Sequence, residues 1–566
     1  MPPPLRFGCG SDDSLGIVAS PVDLASAPRV SKSITKPTAV PSILKPASWI
    51  LLLLLLIPSL AQMWQLRDMP RFGDFHDDSI YYVTAKSLAS GGGYRIESLP
   101  GEPAQTKYPP LYPLLLSIAW KVDPQFPRNL TIAAWISWLA LPAVLFQLLA
   151  LFRRLGFSTG RTWLLLVLFA VNPYTALFST QLLSEMLFLA LVLAGMHLVE
   201  RSLDSPSLAI AAGIAGGLAY LTRSAGIVLF ATAMVYLWLT RKQHRTAWLF
   251  AAGMLPFVAG WTLWSRLHQL PTNDPSLIYY TDYFRNQLYS LSLKDLHLYV
   301  WRNIDALLWG LGGLIVPKVT SSWFLKILTQ VIAVAMIAGI VRMVRRGQGV
   351  LYALFAAMGA VLLCVCTFPA NERLTLPFFP LALAGLLVEM EHFFETARVG
   401  LRHKDRSQRV AASGLVAVFA LVLAGALALQ LYVAQVFMRD DAEHHRARIT
   451  ARIPVYEWAR KNLPADASVL ATEDVMFYLH TGRHAMRPSL PPQFWYREDR
   501  AGIVNWFTDL KPFARDHGLV YFEFSGADTS QGVDDEAAED IETKIRNHPD
   551  LKPLYGGSTA TIYQFR

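Results

Sequence analysis

Charge is scarce in this chain. Of its 566 residues, 16% are Asp, Glu, Lys or Arg, against about 25% in an ordinary soluble protein. Hydrophobic residues reach 53% and the mean hydropathy is +0.32. That balance excludes a soluble multidomain enzyme and a disordered chain, and points to several membrane spans. Cysteine is scarcer still. Cys9 lies near the N-terminus, while Cys364 and Cys366 sit inside an apolar run. None has metal-site spacing, which excludes a disulfide or zinc framework. The histidines show no metal spacing either; His268, His297 and the pair His444-His445 read as surface residues. No repeat of 20–50 residues recurs, which excludes a solenoid.

What is present is a series of long apolar runs. They fall at roughly 48–66, 130–152, 162–180, 183–199, 207–222, 224–240, 246–264, 322–341, 349–368, 374–390 and 410–437. Each approaches the length that spans about 30 Å of hydrocarbon. Eleven spans place the two ends of the chain on opposite sides. Residues 1–47, rich in Pro, Ser, Ala and Lys, read as a disordered cytoplasmic tail. No convincing cleavage site follows the first run, which reads as an anchor.

The net charge of +9 is unevenly distributed. From Arg439 onward there are 16 Lys and Arg against 20 Asp and Glu, so the excess lies upstream, in short loops. Arg153, Arg154 and Arg161, then Arg201, then Arg241, Lys242 and Arg245, then Arg342, Arg345 and Arg346, and last Arg398 to Arg409 occupy alternate loops. By the positive-inside rule these face the cytoplasm. Residues 67–129, 265–321 and 438–566 then lie outside. The basic excess is a topology signal, and no nucleic-acid partner is expected.

The outer loop 67–129 carries two helix-like stretches. One runs from Asp77 to Ala89 and stops at Gly91-Gly92-Gly93; the other, Pro110 to Val122, reads as an interfacial helix. From 439 to 566 the composition is that of a soluble domain. Helix-like segments at 454–462, 502–515 and 534–547 alternate with strand-like ones at 468–472, 518–524 and 559–565, so a small α/β domain is expected. Gly213, Gly216 and Gly217 suggest close packing of two spans.

The strongest polar cluster is Gly73-Asp74-Phe75-His76-Asp77-Asp78-Ser79-Ile80-Tyr81. Two adjacent carboxylates beside a membrane tend to hold a proton, bind a cation or meet a polar substrate. Asp77 and Tyr81 share a helix face, and one of the two carboxylates can act as a general base. A helix N-cap is the plain alternative, and the two are compatible. Lys107, ahead of Pro109-Pro110, suits a lipid phosphate or simply snorkels. Glu185, Arg223 and the pair Glu372-Arg373 sit at span ends on the same outer side. Glu372 and Arg373 can also pair with each other. That shared side suggests an active site at the outer interface.

With these motifs the chain resembles the polytopic GT-C glycosyltransferases, in the bacterial branch near protein mannosyltransferases and the aminoarabinose transferase that modifies lipid A. The resemblance rests on Asp77-Asp78-Ser79-Ile80-Tyr81; on Lys107-Tyr108-Pro109-Pro110-Leu111, with Tyr108 inserted; on Ser184-Glu185; on Leu221-Thr222-Arg223; and on Arg373-Leu374-Thr375-Leu376-Pro377-Phe378-Phe379-Pro380. It covers about 65–450. It implies an all-α GT-C membrane domain over 48–438 and, by position only, a periplasmic α/β domain over 439–566, in a bacterial inner membrane. The activity implied is inverting transfer of a sugar from a polyprenyl-phosphate donor to a glycolipid, polysaccharide or protein acceptor on the outer face. Asp77 would be the base and Asp78 its support. Lys107 and Arg223 would contact the lipid phosphate. Glu185 would position acceptor or sugar, with Tyr81, Glu372 and Arg373 also at the substrate. A divalent cation is left open, with Asp77, Asp78 and Glu185 as its candidate ligands. The alternatives are a flippase of lipid-linked sugars, which calls for charges at mid-membrane depth, and a non-catalytic scaffold.

Overall fold

The computed structural model describes residues 46–288, 294–320, 322–497, 499–528 and 533–566. The tail expected over 1–47 lies almost wholly outside them.

Among the described residues six helices are long and apolar enough to cross a membrane: Pro46–Gln65, Leu130–Arg154, His244–His268, Trp323–Arg345, Glu372–Leu401 and Arg406–Asn462. The chain is a multi-pass membrane protein. The run expected as one span at 162–180 is two helices, Thr159–Ala170 and Pro173–Thr180, bent by 58°. The cause is local. Pro173 cannot donate a helical hydrogen bond, and the Asn172 side chain accepts from the Tyr174 and Thr175 N–H groups, starting a new helix. The runs at 207–222, 224–240 and 349–368 appear as apolar helices of 10–17 residues. The run at 183–199 forms Glu185–Arg201.

Small residues let the helices close on one another. A Cβ on Gly213 would lie 2.2 Å from the Phe250 carbonyl oxygen, and one on Gly217 would lie 2.4 Å from the Phe257 ring. The Leu208–Thr222 and His244–His268 helices therefore touch backbone to backbone, as the glycine spacing predicted.

Both helices expected over 67–129 are present. Asp77–Ser90 ends on Gly91, whose φ of 82° is the left-handed conformation of a helix stop. Leu111–Val122 buries Tyr112, Leu116, Ala119 and Trp120 and exposes Leu114, Ile118 and Val122. That leaves an apolar outer stripe suited to lipid.

The last apolar helix does not end where it leaves the apolar run. Arg406–Asn462 is continuous over 57 residues, roughly 85 Å at 1.5 Å per residue. A separate helix expected to begin at 454 is thus the end of the membrane helix. Beyond it, among the described residues, five strands form one sheet: β1 Ser468–Ala471, β2 His484–Met486, β3 Tyr521–Phe524, β4 Leu551–Gly556 and β5 Thr561–Phe565. Their order is β2-β1-β3-β5-β4, with β1 parallel to β2 and β3, and β5 antiparallel to β3 and β4. The helix expected at 502–515 is split into Arg500–Thr508 and Lys511–Asp516. The strand alternation decides what each face covers. Val469, Ala471 and Ile562 pack on Val455, Tyr456 and Phe477. Leu470, Phe522 and Tyr563 join the core that runs on into the membrane helices. The two parts of the chain thus share one hydrophobic core.

Candidate active site

The loop before the Asp77–Ser90 helix turns tightly. Gly73 has φ 101° and His76 has φ 58°, a left-handed conformation that a non-glycine residue rarely adopts. Asp78 holds this turn closed: its carboxylate accepts from the N–H of Gly73 (2.9 Å) and of Ser79 (2.8 Å). His76 is held from both sides. Its Nε2 lies 2.8 Å from Asp474 Oδ1 and its Nδ1 lies 2.7 Å from the Tyr279 hydroxyl. The Tyr280 hydroxyl donates to the other Asp474 oxygen at 2.6 Å. Burial pushes the His76 imidazole below its ordinary pKa. A neutral ring with one donor nitrogen and one acceptor nitrogen satisfies both bonds.

Asp77 is the first helical residue, and His76 occupies the cap position. The N-cap reading of Asp77 therefore does not hold, because its carboxylate turns away from the helix N–H groups. One oxygen accepts from the Tyr108 hydroxyl and the other from Arg373 Nη2 at 2.8 Å. Arg373 also donates through Nε to Glu185, and Arg223 pairs with the same Glu185 oxygen. Arg223 donates to the Ser184 hydroxyl at 3.1 Å, and the Tyr81 hydroxyl lies 3.4 Å from that group. Asp77, Tyr81, Glu185, Arg223 and Arg373, drawn from four separate stretches of sequence, thus form one connected network. Glu372 is not part of it. It faces Lys318 at 3.1 Å, so Glu372 and Arg373 do not pair with each other.

Burial opposes charge on Asp77, yet Arg373, Lys107, the Tyr108 hydroxyl and Arg223 outweigh it and hold the carboxyl down at about 2. Asp78 is fully buried with two backbone bonds but no cation on it; burial wins there and raises it to about 7. Lys107 is 5% exposed. Its ammonium stacks over the rings of Tyr279 (3.9 Å) and Tyr108 (4.8 Å). Among the described residues no carboxylate pairs with it. Burial, against the pull of Asp77 and with Arg487 adding like charge, lowers it to about 8.

Asp77, Tyr81, Lys107, Glu185, Arg223 and Arg373 line one cavity of about 660 Å³. Its cationic wall carries Lys107, Arg223, Arg373 and Arg487; its acidic wall carries Asp74, Glu473 and Asp528. An apolar arm runs past Val228, Phe355, Leu362, Leu363 and Phe378 between two short apolar helices. The acidic wall is itself braced. Asp74 pairs with Arg448 at 2.7 Å and with His445 at 3.2 Å, so His445 is not the surface residue expected. Asp528 and Glu473 pair with the buried Arg452.

A divalent cation does not fit the candidate ligands. Asp77 and Glu185 are neutralised by guanidinium groups, and Asp78 is spent on backbone N–H groups. Among the described residues no group of three His, Cys, Asp or Glu side chains could hold a metal.

Four site residues are missing from the sequence reading: His76 as an anchor, Tyr279, Asp474 and Arg487. His76 and Tyr108 lie inside the quoted motifs and were legible as neighbours. Asp474 and Arg487 belong to no motif, and nothing in the chain marks them.

No protein-family model matches the chain, and no curated protein matches it by sequence. Solved structures do. The archaeal oligosaccharyltransferase AglB from Archaeoglobus fulgidus, in complex with an inhibitory peptide and a dolichol-phosphate, is similar at a TM-score of 0.50 and 13% identity, over 92% of this chain and 74% of that one. ArnT from Cupriavidus metallidurans, bound to undecaprenyl phosphate, is similar at 0.49 and 13%, over 92% and 98%. The arabinofuranosyltransferase AftD from mycobacteria is similar at 0.42 and 17%, over 93% and 42%. The match to AglB shows the class of architecture: this chain has the GT-C fold.

Proposed function

We propose that this protein is a membrane glycosyltransferase that moves a sugar from a polyprenyl-phosphate donor to an acceptor at the outer face of the membrane. The observation that carries this reading is the single cavity in which an ionised aspartate, a set of cations and an apolar arm meet. AglB and ArnT hold dolichol-phosphate and undecaprenyl phosphate. A polyprenyl phosphate has the same two ends as this cavity, one anionic and one apolar.

In this reading Asp77 is the general base. It takes the proton of the acceptor nucleophile as that atom bonds the anomeric carbon and the phosphate leaves, with inversion. Lys107 and Arg223 stabilise the charge that gathers on the phosphate. A carboxylate at about 2 is ionised at neutral pH but a weak base. An incoming phosphate competes with Asp77 for Arg373 and Lys107 and so raises its basicity when the donor is bound. Arg373 and Glu185 orient the base and the sugar, with Tyr81 beside them, and Asp78 holds the turn that presents Asp77. Glu372, paired with Lys318, has no part in the step.

Eleven spans with a cytoplasmic N-terminus put the site on the periplasmic side of a bacterial inner membrane. Residues 48–438 then form the membrane domain, and 439–566 an outer domain that closes over the cavity. The acceptor, whether glycolipid, polysaccharide or protein, enters along the acidic wall.

The test is transfer from radiolabelled polyprenyl-phosphate sugars in oriented vesicles. Wild type is expected to label an acceptor from the outer side, and Asp77→Asn to lose at least about 100-fold, the usual minimum for a general base. Full activity in Asp77→Asn sinks the base assignment. Movement of the labelled lipid between leaflets without transfer supports the flippase instead.

A further inference from the structure

Most charges around the cavity are matched. Arg223 and Arg373 are neutralised by Glu185 and Asp77, Arg448 by Asp74, and Arg452 by Glu473 and Asp528. Two cations are not. Among the described residues Lys107 meets only ring faces, and Arg487 forms no ion pair, though the charges of Asp474 and Asp528 act on it from further off. The Arg487 Nε is buried without a hydrogen-bond acceptor. The nearby Asp474 attracts it but makes no hydrogen bond to it; its two oxygens are bonded to His76 and Tyr280.

Arg487 is nonetheless held firmly in place. It follows β2 directly, and its backbone N–H donates to the Tyr280 hydroxyl at 3.2 Å. Two residues on, the Ser489 N–H donates to Ser276 at 3.1 Å. The segment is thereby pinned to the Pro275–Thr281 helix, which also supplies Tyr279 beneath Lys107. The side chain is half-buried, with the Nε–H its buried, unused donor; such a donor is costly unless an anion completes it, and the planar fork of a guanidinium matches phosphate oxygens.

We propose that Arg487, from the C-terminal sheet region, is a phosphate ligand of the active site and acts with Lys107 to hold the phosphate of the polyprenyl carrier. The inference rests on the glycosyltransferase reading above and adds to it that the membrane helices alone do not complete the donor site. Two unmatched cations suit a phosphate better than a single carboxylate. The apolar arm of the same cavity favours a lipid phosphate over a free one. The mutual repulsion of Lys107 and Arg487 is relieved when the anion enters.

The experiment uses the full chain in lipid nanodiscs, with binding followed by native mass spectrometry. The probes are undecaprenyl phosphate, undecaprenol and inorganic phosphate. Arg487→Gln is expected to weaken undecaprenyl phosphate about tenfold or more, the effect of losing a charge-assisted bond, and to leave undecaprenol unchanged. Arg497→Gln, an exposed arginine paired with Asp295, is the control and should bind as wild type does. If Arg487→Gln is poorly folded, Arg487→Met, which keeps the apolar stem, is read instead with the same expectation. Affinity within twofold of wild type in the folded variant overturns the inference while leaving the enzyme reading intact. If wild type binds undecaprenyl phosphate no better than undecaprenol, the donor reading fails and this inference with it. If inorganic phosphate binds as tightly as the lipid, the site takes a free phosphate and the lipid assignment is wrong.

Discussion

Arg373→Gln tests the network most directly, because one guanidinium joins two carboxylates there. Arg373 is 10% exposed, Glu185 1% and Asp77 24%. Gln keeps much of the volume and removes the charge. Removing one partner of a buried ion pair costs about 3–5 kcal/mol, because the remaining charge is stranded in a poor solvent. Glu185 keeps Arg223, and Asp77 keeps Tyr108 and Lys107, so the lower end, about 3 kcal/mol, is expected. Glu185→Gln should cost less in the Arg373→Gln chain than in wild type, since one of its two guanidinium partners is already gone there. The coupling between the two positions should fall at about 1.5–3 kcal/mol in a double-mutant cycle. Denaturation in mixed micelles, followed by tryptophan fluorescence, gives the four stabilities. The pH profile of sugar transfer gives a second readout: with Arg373 gone, the acid limb should move up as the Asp77 carboxyl rises from about 2. A single-variant loss below about 1 kcal/mol, or a double variant that loses the full sum, would show that these contacts are too well solvated to matter and refute the argument.

The helix contacts and the buried acids give two further predictions. A Cβ on Gly339 would lie 1.8 Å from the Gly385 carbonyl oxygen, so Gly339→Ala should force two membrane helices apart and cost about 1–3 kcal/mol. Gly414→Ala, with nothing within 4 Å, should leave thermal unfolding in detergent unchanged. Glu523 is fully buried, and burial, against the pull of Arg452 3.6 Å away, raises its carboxyl from 4.5 to about 8. The folded chain thus keeps a proton that the unfolded chain releases, and stability present below about pH 4.5 is lost as pH rises towards 8. Glu523→Gln should flatten that decline; an unchanged slope between pH 5 and 8 would mean that Glu523 is ionised and paired in the fold.

The sequence reading and the structure agree most closely where the governing physics is local. The glycine stop after Asp77–Ser90, the amphipathic Leu111–Val122 helix and the strands near 468, 521 and 561 follow from periodicity and turn residues within a few positions. The reading fails where one local signal had to compete with another. Asn172-Pro173 bends a run that hydropathy alone reads as straight. Arg406–Asn462 stays helical past the end of its apolar run, because helix continuation needs only good helix formers, not apolar ones. Asp77 looks like a cap by position; His76 takes the cap position because its side chain is anchored by Asp474, almost 400 residues further on.

By itself the sequence determined that this is a multi-pass membrane protein, and that polar groups costly to place in a membrane stand at the ends of its apolar runs. Each follows from the price of moving charge or apolar surface between water and lipid, a property of composition and order alone. Which arginine neutralises which carboxylate was decided only in three dimensions. Arg373 could as well have paired with its neighbour Glu372, and Arg223 with lipid. The fold placed Glu185 between the two arginines, left Lys107 without a carboxylate, and brought Arg487 from the far end of the chain to the same cavity. Charge pairing depends on distances of a few ångströms, and residues hundreds of positions apart reach such distances only through tertiary packing.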